Sequence, residues 1–405
     1  MSTSMQIVLD TLEDDDFPQN QPIKRPVALL DVDDTLIVKG KLNIELLNAL
    51  KEKGIKDVYL LTDMIMINSS IEERQNLIEA LAREGFTCHG VITPADLLWS
   101  SISMEEALAL DQEIGQNFKG IYEGPRFHAF LEATLNNYPR IKAVFNLDNL
   151  LNRPGETFAY ASQAPKEDRI NNQLKSAVCK LLVDALVEKL MVAQPWMTHN
   201  KGLLVQKFFT NMLPWINAVV VADDLSEVVN CMKVINKTAP APMAFIKIAA
   251  DGSPQPDNEF MHLDKVMARS PLQNALLKKI TAYLDWRADK QLDDGRGYEL
   301  GFFTRLRHWT NFGEDRARAL YSKLVYASPA AVIGIIKAHF SGGHSTLHNH
   351  SLDAFLLEAI DKHLDDFDIT SLFSLRFSES RAALREKVLA FDPASKQPAV
   401  TVKMI

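Results

Sequence analysis

The sequence predicts an α/β protein: a Rossmann-like parallel sheet interrupted by a largely helical insertion and followed by a helical C-terminal domain. Three observations predict it. Short, unbroken apolar runs end abruptly in polar or acidic residues, the pattern of strands buried on both faces. Helical periodicity fills the gaps between the first runs, so that strand and helix alternate as in parallel crossovers. The alternation then gives way to long stretches of purely helical pattern, after about residue 94 and again after about 262.

Residues 1–25 combine Glu13-Asp14-Asp15-Asp16 with Pro18 and Pro22 and read as a mobile lead-in with little to bury. Pro26–Asp31 is the first strand. After a loop around Gly40, Leu42–Lys53 places Ile44, Leu46, Leu47 and Leu50 on one helix face, and Gly54 supplies the stop. Asp57–Thr62 is the second strand, and Ser69–Arg83 a helix with Ser70 and Glu73 as a capping box. His89–Thr93 is a third, weaker strand. Residues 94–196 are helical in pattern, with a candidate strand at Ile141–Leu147. The alternation resumes with a helix from Lys201 to Phe209, a fourth strand Trp215–Ala222 and a fifth, Pro242–Ala249, before the Gly/Pro/Asp-rich link Asp251–Asp257. Leu272, Leu276, Leu277, Ile280 and Leu284 then open a helical region that runs to about 391, without a fixed-period repeat. The division is 26–94 with 197–260 as sheet core, 95–196 as insertion and 261–405 as C-terminal domain.

Composition excludes classes. With 405 residues the chain is long enough for two or three domains, and 47% hydrophobic and 24% charged residues fit a globular protein. The balance of 44 basic against 52 acidic residues speaks against nucleic acid as a partner, because phosphate backbones select for a Lys and Arg surplus. Three cysteines far apart, Cys88, Cys179 and Cys231, build neither a disulfide framework nor a four-thiolate zinc site, which points to a reducing, cytoplasmic setting. No apolar run is long enough to span a bilayer, and the N-terminus lacks a secretory pattern.

The chemistry lies at strand ends. In Leu30-Asp31-Val32-Asp33-Asp34-Thr35-Leu36, the alternation of an extended segment directs Asp31 and Asp33 to one side, beyond the end of a strand. Open α/β sheets bind ligands outside the carboxyl ends of their strands. Thr62 ends the second strand, Asp223-Asp224 end the fourth, and Lys201 opens the helix leading into that fourth strand. Taken singly, Thr62 reads as a helix cap, Lys201 as a surface lysine and Asp223-Asp224 as a cap for the next helix. Their order at successive strand ends outweighs those readings.

That order resembles the haloacid dehalogenase (HAD) superfamily, in particular its aspartate-nucleophile phosphatases. Asp31, Asp33 and Thr35 match the first motif, Thr62 the second, Lys201 the third, and Asp223 with Asp224 the fourth, over about 26–94 and 197–250. The resemblance implies a Mg2+-dependent phosphatase acting on a phosphorylated substrate, protein (a phosphotyrosine side chain among the options) or small molecule. Asp31 is the implied nucleophile and Asp33 the general acid and base, with Thr62 and Lys201 binding phosphate. Asp31, the backbone carbonyl of Asp33, Asp223 and Asp224 are the implied Mg2+ ligands, an oxygen set that suits this ion. Phosphotransfer to an acceptor other than water, and an adaptor carrying a vestigial core, are the competing readings. Only 31 positions separate Asp31 from Thr62, but 139 separate Thr62 from Lys201, so any cap over the site belongs to the insertion. Its helical pattern departs from the mixed α/β caps the family leads one to expect there.

Two further segments are weighed. His339, His344, His348 and His350 match no metal-ligand spacing and read as an interhelical loop. The stretch 302–318, with Phe302, Phe303, Arg305, Arg307, Trp309, Arg316 and Arg318, reads first as a helix with a solvated basic face and second as a peripheral contact with an anionic membrane. It resembles C-terminal helical regions of effectors that intracellular bacteria such as Legionella secrete into host cells, which implies a host phosphoprotein or a membrane-associated target.

Overall fold

Arg25–Leu30 (β1) is buried at every position from Pro26 to Leu30, which a strand achieves only when it is covered on both faces. This computed structural model describes residues 24–65, 68–118, 120–152, 169–287, 312–342, 351–367 and 377–391. A hairpin of Ile37–Val38 (β2) and Lys41–Leu42 (β3) follows β1. Its tip, Lys39-Gly40, holds φ of 52° and 74°, the two positive values that a two-residue hairpin matched to strand twist requires. The loop expected around Gly40 is thus a hairpin, and it shortens the first helix to Ile44–Glu52 (α1). Asn43 caps α1 by accepting from Leu46 N at 3.1 Å. Asp57–Leu61 (β4), Asn68–Arg83 (α2) and Thr87–Ile92 (β5) complete the first crossovers.

The insertion comprises Ala95–Leu98 (α3), Met104–Asn117 (α4), Gly124–Leu135 (α5), Pro139–Val144 (α6), Leu147–Asn152 (α7) and Arg169–Ala193 (α8). The strand expected at Ile141–Leu147 is instead the end of α6 and the start of α7. Pro139 opens α6, and six apolar-rich residues do not distinguish a strand from a short buried helix. Ser70 lies inside α2 rather than at its cap, so the Ser70–Glu73 capping box is not formed; a capping box does form at Ser103 and Glu106 on α4.

Asn200–Thr210 (α9), Ile216–Asp223 (β6), Ser226–Ile235 (α10) and Met243–Ile248 (β7) bring the chain back. The segment expected as a plain link forms a further edge strand, Pro254–Pro256 (β8), antiparallel to β7. Proline is tolerated there because an edge position asks for no second set of amide donors. The sheet order is β5-β4-β1-β6-β7-β8, parallel except for β8. The chain thus winds outward from β1 to β5, then returns to start again on the other side of β1. The order reverses between β1 and β6.

Among the described residues the remaining α-helices are Asn258–Met261 (α11), Leu263–Met267 (α12), Pro271–Arg287 (α13), Phe312–Leu324 (α14), Pro329–Ser341 (α15), Leu352–Ile360 (α16) and Phe377–Ala390 (α17). Among the described residues, buried apolar side chains form two clusters. One runs from Val27 to Leu263 and unites the sheet with insertion residues such as Leu110, Phe127, Ile141 and Leu182. The other runs from Leu272 to Phe391 around Tyr283, Trp286 and Phe355. No helix among the described residues is long and apolar enough to cross a membrane.

Gly202 marks the tightest approach of α9 to its surroundings. A Cβ there would stand 2.7 Å from Cys231 Sγ on α10 and 2.8 Å from Met197 Sδ. Gly202→Ala is expected to cost about 1–3 kcal/mol of stability by overpacking. Urea unfolding checks this; an unchanged midpoint would mean that α9 and α10 do not pack so closely.

Candidate active site

The reversal of strand order places a crevice at the carboxyl ends of β1 and β6, the position where open α/β sheets bind ligands. Asp31 follows β1, and its amide donates to Ala222 O at 3.0 Å, so the residue leaves the sheet level with the end of β6. Asp223 ends β6 and Asp224 follows it. Thr62 follows β4 on the other flank, buried, its amide donating to Ile92 O at 3.0 Å. Lys201 sits in the first turn of α9; helical side chains lean toward the helix N-terminus, which carries this one back to the strand ends.

The Lys201 Nζ lies 2.8 Å from Asp31 Oδ1 and 2.8 Å from Asp223 Oδ2, with all three side chains buried. Asp223 Oδ1 accepts from Leu225 N at 2.9 Å, so both of its oxygens are engaged. The Thr35 hydroxyl lies 3.2 Å from Asp31 Oδ2 and 3.3 Å from Asp224 Oδ1, donating to one of them at a time. Asn43 fixes the loop that carries Thr35, donating from Nδ2 to Thr35 O at 3.0 Å and to Gly252 O at 2.9 Å. His199 caps α9 by accepting Lys201 N at Nδ1, 3.2 Å away. Burial and the nearby Lys201 charge lower its pKa and favour the neutral ring that can accept there.

The charges do not balance. Burial pushes the Asp31 carboxyl up to about 6, against the pull of Lys201 and with the Asp223 charge adding to the rise. Asp223 is raised for the same first reason, and Lys201 opposes that shift. Burial alone would lower the Lys201 pKa, but Asp223 and Asp31 outweigh it and raise it. One ammonium therefore faces three carboxylates. Oxygens of Asp31, Asp223 and Asp224 lie within 4.8 Å of one another, a hard-oxygen set with excess negative charge that fits a small divalent cation.

Asp33 stands apart from this cluster. Its carboxylate, 77% exposed, pairs through Oδ2 with Arg74 Nη2 of α2 at 3.3 Å. Lys207, further along α9, is buried elsewhere and donates to Leu150 O at 3.0 Å.

Beside the site, a cleft of about 520 Å³ is lined by Asp34, Val38, Asp224, Lys247, Ile248, Ala249, Ala250 and Gln255. Hairpin and sheet edge form its walls; the insertion contributes none of these residues. The insertion reaches the site from another side: Lys180 of α8 lies 3.1 Å from Asp63 and 2.6 Å from Asp184, and Asn200 donates to both carboxylates. These contacts tie α8 to the loop after Thr62 and to the start of the helix that carries Lys201.

Sequence reasoning missed Arg74, Asn43 and the Lys180–Asp184–Asp63–Asn200 group. Asn43 carried a signal as an N-cap before an apolar-periodic run, and Lys180 and Asp184 had the i,i+4 spacing of a helical pair. Arg74 carried none beyond its helix. Of the other weighed segments, 1–23, 302–311, His344, His348 and His350 lie outside the described residues. His339 pairs with Asp353 at 2.9 Å, and Arg318 with Glu314 at 2.6 Å. The three cysteines are free thiols. No protein-family model, no curated protein and no solved structure matches the chain.

Proposed function

We propose that the chain is a phosphatase of the HAD type, hydrolysing a phosphomonoester through a covalent phospho-aspartate. One observation carries the reading: Asp31, Lys201, Asp223 and Asp224 meet at the carboxyl ends of β1 and β6, where the strand order reverses. Neither strand-end carboxylates nor a buried lysine alone would distinguish this chemistry from a structural ion pair. Their meeting at the carboxyl ends of β1 and β6 supports this chemistry over a structural ion pair.

In this reading an Asp31 oxygen attacks phosphorus, the ester P–O bond breaks, and the leaving oxygen takes a proton from Asp33. Asp33 then removes a proton from water, which attacks the same phosphorus. The bond to Asp31 breaks, inorganic phosphate leaves, and the carboxylate is restored. Lys201 holds Asp31 ionised and offsets phosphate charge, and the Thr62 hydroxyl donates to a phosphate oxygen. Asp31, Asp223 and Asp224 would hold Mg2+, which when bound supplies positive charge against the transferring group. Asp34, Asp224 and Lys247 line a cleft of about 520 Å³ beside the cluster, which leaves room for part of the substrate beyond its phosphate.

The test is turnover of nitrophenyl phosphate by the full chain, with and without Mg2+, alongside phosphotyrosine peptides and small phosphate esters. Release of phosphate that chelation abolishes is expected. No turnover of any of these with Mg2+ present would sink the proposal.

A further inference from the structure

The contact between Arg74 and Asp33 is asymmetric in a way an ordinary surface pair is not. The Arg74 side chain is 10% exposed, whereas the Asp33 side chain it touches is 77% exposed. Exposed ion pairs are weak and place both ends in water. Here the cation is set into the protein and the carboxylate faces out, so the guanidinium is the fixed partner and the carboxylate the adjustable one. Arg74 is also incompletely used. Its Nε is buried and has no hydrogen-bond partner among the described residues, while Nη2 reaches Asp33 Oδ2 at 3.3 Å. A buried donor left unmade is costly, and a chain that keeps one beside a proposed acid and base calls for a reason in the site.

The backbone agrees. Asp33 is bridged to Ile37, and Asp34 adopts a φ of 55°, a left-handed conformation that Asp tolerates better than most residues. The main chain thus turns just after Asp33, and the carboxylate meets Arg74 on α2. Phosphoryl transfer runs in line, with the leaving oxygen opposite the nucleophile. An acid serving that oxygen must stand off from Asp31, not beside it.

Resting on the phosphatase reading above, we propose that Arg74 is a positioning residue for Asp33: it fixes the carboxylate on the leaving-group side of the site, apart from the Asp31–Lys201–Asp223 cluster. Arg74 acts through Asp33 and does not contact the phosphoryl group.

The test uses the full chain with Mg2+ and a series of substituted phenyl phosphates, from nitrophenyl to methoxyphenyl, compared by kcat/KM. This ratio reports the transfer to Asp31, in which poor leaving groups need a proton and nitrophenolate needs none. General acid catalysis is worth about 10²–10⁴-fold, so Arg74→Gln is expected to lower kcat/KM about 10-fold or more for methoxyphenyl phosphate and less than about 3-fold for nitrophenyl phosphate. Arg74→Lys, which keeps a donor and reports on the site even where the glutamine variant fails to fold, is expected to recover part of the loss. On an Asp33→Asn background, Arg74→Gln is expected to add nothing. An equal loss across the series with raised KM would assign Arg74 to substrate binding and overturn the proposal, as would a loss that persists on the Asp33→Asn background. Absence of turnover by the unmodified chain would overturn this proposal and the phosphatase reading together; normal turnover with a flat response to Arg74→Gln would overturn this one alone.

Discussion

Replacing Asp31 with Asn is expected to abolish turnover and, in metal-free buffer near pH 7, to stabilise the fold. Removing the nucleophile of a covalent mechanism typically costs about 10⁴-fold or more in kcat. The stability gain follows from the same burial. Asp31 titrates at about 6 in the folded chain and near 4 when unfolded, so the folded state holds its proton more tightly. An ionised Asp31 therefore opposes folding. The penalty is absent below about pH 4, grows as pH rises toward 6, and is complete above it. The asparagine side chain cannot ionise and never incurs it. The gain is expected to be on the order of 1–3 kcal/mol at pH 7 and to fade as pH falls from 6 to 4. Urea unfolding from pH 4 to 8 in chelator reads it directly. If the Asp31→Asn variant were less stable than the unmodified chain at pH 7, Asp31 would be held mainly as a structural partner of Lys201. Retained turnover would remove it from the chemistry.

The elements that place this cluster were readable because burial on both faces leaves a continuous apolar run, as in Val219 to Ala222, and because the runs of β1 and β6 stop at residues of the cluster. Lys201 was readable by position: at the start of α9 its backward-leaning side chain reaches the strand ends, whereas Lys207, six residues on and on another face, ends at Leu150. Failures have equally local causes. Pro254 and Pro256 resemble a linker because proline breaks central strands, yet an edge strand accepts it. Arg74 lies beside Glu72 and Glu73 on a helix read only for its periodicity and a capping box. Its burial comes from tertiary contacts that no local pattern encodes. The role expected of the insertion depended on where the cleft opens, and the cleft is walled by the hairpin and the β7–β8 edge.

Lys201→Met should have the largest effect on stability, and its dependence on conditions identifies the cause. The variant leaves Asp31 and Asp223 buried with their shared ammonium gone. Breaking a buried ion pair from one side typically costs about 3–5 kcal/mol, mostly the penalty of the stranded charge. Two stranded carboxylates hold protons more tightly than before, so their folded pKa values rise further. The deficit against the unmodified chain is therefore expected to be greatest at pH 7 and above and to shrink toward pH 5, as protonation neutralises the pair. A divalent cation offers a second route to neutralisation. On the proposed reading Mg2+ binds the folded chain in preference to the unfolded one, and a site freed of Lys201 carries more negative charge, so Mg2+ is expected to raise the melting midpoint of Lys201→Met more than that of the unmodified chain. On an Asp31→Asn background the same substitution is expected to cost less, since one of the two carboxylates no longer needs a partner. A deficit independent of pH, of Mg2+ and of Asp31 would trace the loss to packing around α9 rather than to charge.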